Sequence, residues 1–264
     1  MPTPSRTPTL SYDDIGSGIP IVFVHGFPLR RTMWKPQLRG LSQLCRCIAP
    51  DLRGFGESVV EGPYSMDRYA DDIAELLDAC SVRRAVIAGC SMGGYISFAF
   101  WRRHRERVLG LALCDTRPGA DGEAALVRRR EMIRVARESG STAVADMMIE
   151  SLLGPSTRER CPEVVHDVRA MLTSAPVEGV VGAIEAMMQR PDSTPTLATI
   201  DVPVVVITGE EDAIAPVEEA RTMSDAIRHS SFEVIPGAGH LSNIERPAAF
   251  DTVFAEFLAR IRAD

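Results

Sequence analysis

Ser91 stands between two glycines in Gly89-Cys90-Ser91-Met92-Gly93, directly after the apolar run Ala85-Val86-Ile87-Ala88 and, past Gly94, just before Tyr95-Ile96-Ser97-Phe98-Ala99-Phe100. A serine with glycine two residues to either side suits a sharp strand-to-helix turn, where flanking Cβ atoms would collide. As a bare string the pattern is also ordinary turn chemistry. The strand-length run before it and the helix-compatible run after it point to an exposed nucleophile. A serine hydroxyl is almost inert at neutral pH. It needs an imidazole to take its proton and a carboxylate to orient that imidazole.

The partners must come from elsewhere in the chain. Of five histidines, His104 lies in a basic stretch, His166 in a helical region and His229 at the end of a polar helix. His240 closes the loop Pro236-Gly237-Ala238-Gly239 after the strand-like Phe232-Glu233-Val234-Ile235, a tether able to bring its ring over Ser91, and is the expected base. His25, after Ile21-Val22-Phe23-Val24, is expected to fix its own loop. For the acid, Asp212 in Gly209-Glu210-Glu211-Asp212 is favoured, and Asp115, directly after Leu109–Cys114, is the rival. Glu210 and Glu211 read as solvated loop charges.

The elements that must hold these residues alternate. Short apolar runs near 21–24, 45–49, 85–89, 109–114, 202–209 and 232–235 read as buried strands, separated by amphipathic helices. Residues 31–44 are expected to form one helix through Trp34, Leu38, Leu41 and Leu44, with Pro36 near its first turn. Met66 to Cys80 forms another with Ser65 as N-cap, Pro216 opens one reaching Ile227, and Pro247 opens the last. Thr9 to Asp14 is expected at a sheet edge, followed by a turn at Gly16-Ser17-Gly18.

From about 121 to 190 only helical periodicity remains, broken near Gly140, Gly154-Pro155 and Ala175-Pro176. The fold class is therefore α/β: a doubly wound, mostly parallel sheet with a helical cap inserted after the strand ending near Cys114. The core takes residues 1–116 and 192–264 and the cap 117–191. In such a sheet ligands lie beyond the carboxyl ends of the strands, where Ser91, Asp115, Asp212, His25 and His240 all fall.

Composition narrows the partners. A net charge of −7 at pH 7 argues against nucleic acid and against an anionic membrane surface. The Pro/Thr-rich first eight residues carry no apolar signal core, and no run is long enough to span a bilayer. The six cysteines lie mostly in apolar segments without metal-ligand spacing, and Cys45 and Cys47 share a strand face. We expect a reduced, cytoplasmic protein without metal or cofactor.

Taken together, His25-Gly26-Phe27-Pro28, Asp51-x-Arg53-Gly54-x-Gly56-x-Ser58, Gly89-x-Ser91-x-Gly93-Gly94, Gly209-Glu210-Glu211-Asp212 and Gly237-Ala238-Gly239-His240 resemble the α/β-hydrolase superfamily over nearly the whole chain. The resemblance implies an oxyanion hole from the backbone N–H groups of Phe27 and Met92, and a structural role for Asp51 to Ser58. With its short N-terminus the chain is expected to lack one of the family's usual eight strands. A Ser nucleophile, in place of Asp, disfavours dehalogenase and epoxide-hydrolase chemistry. Within the superfamily the chain is most similar to small bacterial carboxylesterases and the 3-oxoadipate enol-lactonase group, with Ser-type perhydrolases nearby. A hydrolase-fold ligand receptor without turnover is the non-enzymatic alternative.

The expected reaction is hydrolysis of small, mainly neutral carboxylic esters or lactones through an acyl-enzyme. Val144, Met147, Met148 and Leu152 form one cap stripe, and Val180, Ile184, Met187 and Met188 another. Each stripe can pack the cap or line a pocket. Trp34, Met147, Met148, Met187 and Met188 are the candidate substrate contacts. An anionic enol-lactone would want an arginine, for which Arg128 and Arg129 are the cap candidates.

Overall fold

The computed structural model describes residues 9–263, so the Pro/Thr-rich first eight residues lie outside the described ones. Seven strands form one sheet: β1 (Tyr12–Gly16), β2 (Pro20–Val24), β3 (Arg46–Pro50), β4 (Ala85–Cys90), β5 (Val108–Cys114), β6 (Val204–Gly209) and β7 (Ser230–Ile235). Their order is β1-β3-β2-β4-β5-β6-β7, with only β1, at one edge, antiparallel. β4, the strand that delivers Ser91, is central and buried at all six positions. Its apolar run has no polar alternation because helices cover both faces. Gly16 and Gly18, at φ 86° and 100°, make the expected turn between β1 and β2.

The helices follow the predicted punctuation, with one correction. A 3₁₀ turn at Arg31–Trp34 leads into α1 (Lys35–Leu41), where the helix stops, and Leu44 is exposed in the turn entering β3. Three residues separate the end of α1 from Cys45, and this short turn pulls Leu44 off the apolar face. α2 (Met66–Ala79) is capped by the Ser65 hydroxyl, which accepts from the Arg68 N–H at 3.0 Å. α3 (Met92–His104) starts immediately after Ser91.

Between β5 and β6 the chain is all helix: α4 (Glu123–Leu152), α5 (Pro155–Arg160), α6 (Pro162–Thr173), α7 (Val177–Met188) and α8 (Thr194–Leu197). Gly140, at φ 76°, kinks α4 where a break is predicted, and Gly154 and Pro176 are the N-caps of α5 and α7. α9 (Val217–Asp225), α10 (Ser242–Glu245) and α11 (Pro247–Ala263) complete the chain.

Two apolar clusters flank the sheet. One joins α2, α3 and α7 to the Val22, Ile87 and Leu111 side, and the other joins α1 and α11 to the Ile21, Val86 and Ala112 side. Burial of each large side chain in them contributes about 1.5–3 kcal/mol. Trp34 is fully buried in the second cluster, its ring 5.1 Å from Phe23 and 6.0 Å from Phe250.

Candidate active site

The elbow is built from close approaches that only glycine permits. A Cβ on Gly89 would lie 2.2 Å from the Gly93 carbonyl oxygen, and one on Gly93 would lie 2.3 Å from that of Val24. Ser91 has φ 53° and ψ −112°, a conformation costing about 1–3 kcal/mol for a non-glycine residue. The Ser91 N–H donates to the Cys114 carbonyl and the Gly94 N–H to the Ser91 carbonyl, so the hydrogen bonds of β5 and α3 hold the turn.

His240 reaches this serine from the loop after β7. Its Nε2 lies 2.8 Å from Ser91 Oγ, and its Nδ1 lies 2.8 Å from Asp212 Oδ2. The other Asp212 oxygen accepts from the Ile214 and Ala215 N–H groups at 2.8 and 2.9 Å, which fixes the carboxylate plane. Both side chains are buried. Burial pulls the imidazole pKa down, but the charge and hydrogen bond of Asp212, with smaller contributions from Asp115 and Glu245, outweigh it and raise the pKa above the ordinary 6.5.

Asp115 does not hydrogen-bond His240. Its carboxylate accepts from the Gly209 N–H at 2.9 Å and from the Ser242 hydroxyl and N–H at 2.6 and 3.2 Å. Burial first, and the charge of Asp212 second, push its carboxyl up to about 8.

His25 is fixed in its loop. The Leu52 N–H donates to its Nε2 at 2.9 Å, and its Nδ1 lies 2.9 Å from the Gly26 carbonyl, the pattern of a neutral ring with the proton on Nδ1. Burial lowers its pKa, in keeping with that state. The loop it anchors runs beside the nucleophile, since a Cβ on Gly26 would sit 3.4 Å from Ser91 Cβ. Phe27 follows directly. Met92, as the first residue of α3, presents one of the N–H groups that a helix start leaves without an intrahelical partner. The Asp51 to Ser58 segment is tied internally by the Ser58 hydroxyl, which donates to the Asp51 carbonyl at 2.6 Å, and to α2 by Arg53, paired with Asp72 at 2.8 Å.

The candidate substrate contacts separate. Trp34 is 0% exposed among aromatic core rings and Met187 is 2% exposed. Both side chains pack in the apolar clusters. Met148 and Met188 are half-buried, and Met147 is 46% exposed. Arg129 is paired with Asp121, which Arg190 also contacts at 2.9 Å. Burial raises the Asp121 pKa, and these two guanidinium groups overcome it to hold the carboxyl at about 2. Arg128 is exposed. A cleft of about 420 Å³ between the loop after β5 and α9, lined by Arg117, Leu197 and Met223 among others, contains none of Ser91, Asp212 and His240.

Two carboxylates read as unremarkable in the sequence have defined partners. Glu211, expected to be solvated, accepts from both the N–H and the hydroxyl of Ser156. Glu245, not singled out by any local pattern, is 5% exposed and accepts from the Gly239 and Leu241 N–H groups on either side of His240.

The sequence pattern of the alpha/beta hydrolase fold family matches residues 19–247. A thermophilic esterase from Thermogutta terrifontis, solved with malate bound, is 44% identical with a TM-score of 0.93, covering 96% of this chain and 93% of that one. The enol-lactonase from Burkholderia xenovorans LB400 is 30% identical with a TM-score of 0.88, covering 95% and 96%. The 3-oxoadipate enol-lactonase 2 of Acinetobacter baylyi is 29% identical over 88% of this chain and 85% of its own length.

Proposed function

This chain belongs to the alpha/beta hydrolase fold family, and from that premise we propose that it is a carboxylic-ester hydrolase whose acyl-enzyme forms on Ser91. The observation that carries the reading is the continuous pair of 2.8 Å contacts from Ser91 Oγ through His240 to Asp212. His240 Nε2 takes the Ser91 proton as Oγ bonds to the ester carbonyl carbon. Asp212, accepting from Nδ1–H, stabilises the imidazolium. The N–H groups of Phe27 and Met92 receive the developing oxyanion. His240 then returns the proton to the departing alkoxide, and a water activated by the same imidazole releases the acid.

Residues 117–191 act as a cap over this site, with residues 1–116 and 192–264 as the core. Cys80, Cys90, Cys114 and Cys161, which form no disulfide among the described residues, suit a reducing compartment, which we take to be the cytoplasm.

For substrate, the reading favours neutral esters with short to medium acyl chains. Of the two cap arginines open to an anionic ligand, Arg129 is already neutralised by Asp121 and Arg128 is exposed. The likeness to the Thermogutta esterase, at 44% identity, supports an ester as the substrate class. The second reading is an enol-lactonase, favoured by the two lactonase relatives at 29% and 30% identity. Steady-state kinetics on a chain-length series of nitrophenyl esters beside 3-oxoadipate enol-lactone separates them. We expect the highest kcat/KM on a neutral ester; a kcat/KM for the anionic lactone above that of every ester would replace this substrate class with the second.

A further inference from the structure

The junction between α4 and α5 is bonded to both loops that carry the base and the acid. Glu245 uses one oxygen to accept from the Gly239 N–H at 2.9 Å and the Leu241 N–H at 3.2 Å, and the other to accept from the Gly154 N–H at 2.9 Å. One buried carboxylate thus grips both neighbours of His240 and the helical block 91 residues away in sequence. On the other side, Glu211, adjacent to Asp212, takes the Ser156 N–H at 3.0 Å and the Ser156 hydroxyl. The contact is close as well as polar: a Cβ on Gly239 would lie 2.2 Å from the Gly154 nitrogen. The acid and base loops are joined to each other too, with the Glu211 N–H donating to the Ala238 carbonyl at 2.7 Å and the Gly237 N–H to Glu210 at 2.9 Å.

Neither glutamate touches the reacting atoms, and removing them would leave the Ser91–His240–Asp212 contacts chemically possible. Buried backbone N–H groups are nevertheless costly to leave unpaired. Displacing Gly154–Ser156 would break the Gly154 N–H bond to Glu245 and both Ser156 bonds to Glu211, and it would take the junction away from the loops that carry His240 and Asp212. Given the hydrolase reading above, we propose that Glu245 and Glu211 are positioning residues that latch the α4–α5 junction to the His240 and Asp212 loops, so that seating of the helical block and alignment of the triad are a single event.

Such a latch acts on turnover rather than on ground-state binding, because it sets the imidazole's aim at the serine and leaves the acyl pocket alone. Glu245→Gln places an amide NH₂ against a backbone N–H on one of its two arms, whereas Glu211→Gln can turn its NH₂ to the Ser156 hydroxyl and so replaces a charged acceptor by a neutral one. In the full-length protein, we expect Glu245→Gln to lower kcat for a short nitrophenyl ester about tenfold or more with KM nearly unchanged. Glu211→Gln should act in the same direction, and the Glu211→Gln/Ser156→Ala pair should be non-additive.

Hydrogen exchange supplies the readout that does not depend on activity. Each Gln variant, still folded by circular dichroism, should exchange faster in segments 153–157 and 237–242 together. Faster exchange confined to one segment, or a rise in KM with kcat unchanged, would overturn the latch. Coupled exchange in a protein whose wild type turns over no ester would support the latch and overturn the hydrolase reading instead.

Discussion

Two buried carboxylates beside His240 divide the labour. Asp212 touches the imidazole, whereas Asp115 secures the Gly209 and Ser242 backbones. Asp212→Asn should therefore lower kcat by about 10⁴-fold, because an amide at that position favours the wrong tautomer of His240. Asp115→Asn should be mild in the same assay, and the reverse ranking would move the acid to Asp115. His240 must be neutral to accept a proton, and its pKa is raised, chiefly by Asp212 acting against burial. The kcat/KM profile should thus rise with pH through a midpoint above 6.5, and a midpoint below that value would contradict the assignment. Ser91, Asp212 and His240 were legible because each follows a strand-like run with a short glycine-containing turn. Glu245 was not, since its donors include a backbone amide 91 residues away and no spacing encodes that meeting.

At the scale of elements, the elbow works because β4, α3 and the loop after β2 approach within van der Waals distance at glycines. Gly93→Ala would drive a Cβ to 2.3 Å from the Val24 carbonyl oxygen, an approach that no rotamer relieves. It should destabilise the protein by about 1–3 kcal/mol in urea unfolding, with loss of ester turnover. Unchanged stability would mean that this packing does not constrain the elbow. Phe27→Ala leaves its backbone N–H in place, so it should reduce turnover far less than the about 100- to 1000-fold cost of losing one oxyanion donor. A loss as large as that of Ser91→Ala would assign the ring itself a direct role. Strand positions were readable from continuous apolar runs and helix starts from Ser65, Pro216 and Pro247. The helix expected through Leu44 failed because periodicity does not register the turn needed to enter β3.

For the molecule as a whole, the helical block between β5 and β6 is attached at its base as well as at its α4–α5 junction. Arg190, just past α7, donates to the Met187 and Gly119 carbonyls at 2.8 Å and to Asp121 at 2.9 Å, while its guanidinium lies 4.0 Å from the centre of the Tyr95 ring on α3. Arg190→Ala should cost about 2–3 kcal/mol in urea unfolding, and a change near zero would show that the block is held by its apolar contacts alone. Those contacts also explain why the pocket was the least legible part. Val144, Val180, Ile184 and Met187 are buried in the core cluster, and the same helical stripe in sequence serves packing or substrate equally well. The central claim is that one serine is the nucleophile, and the most direct test is active-site labelling. An organophosphate should add a single adduct, mapped by peptide mass spectrometry to Ser91, with ester hydrolysis lost in proportion. Ser91→Ala should remain folded, take no label and have no turnover. An adduct on any other residue, or ester turnover retained by Ser91→Ala, would contradict the account.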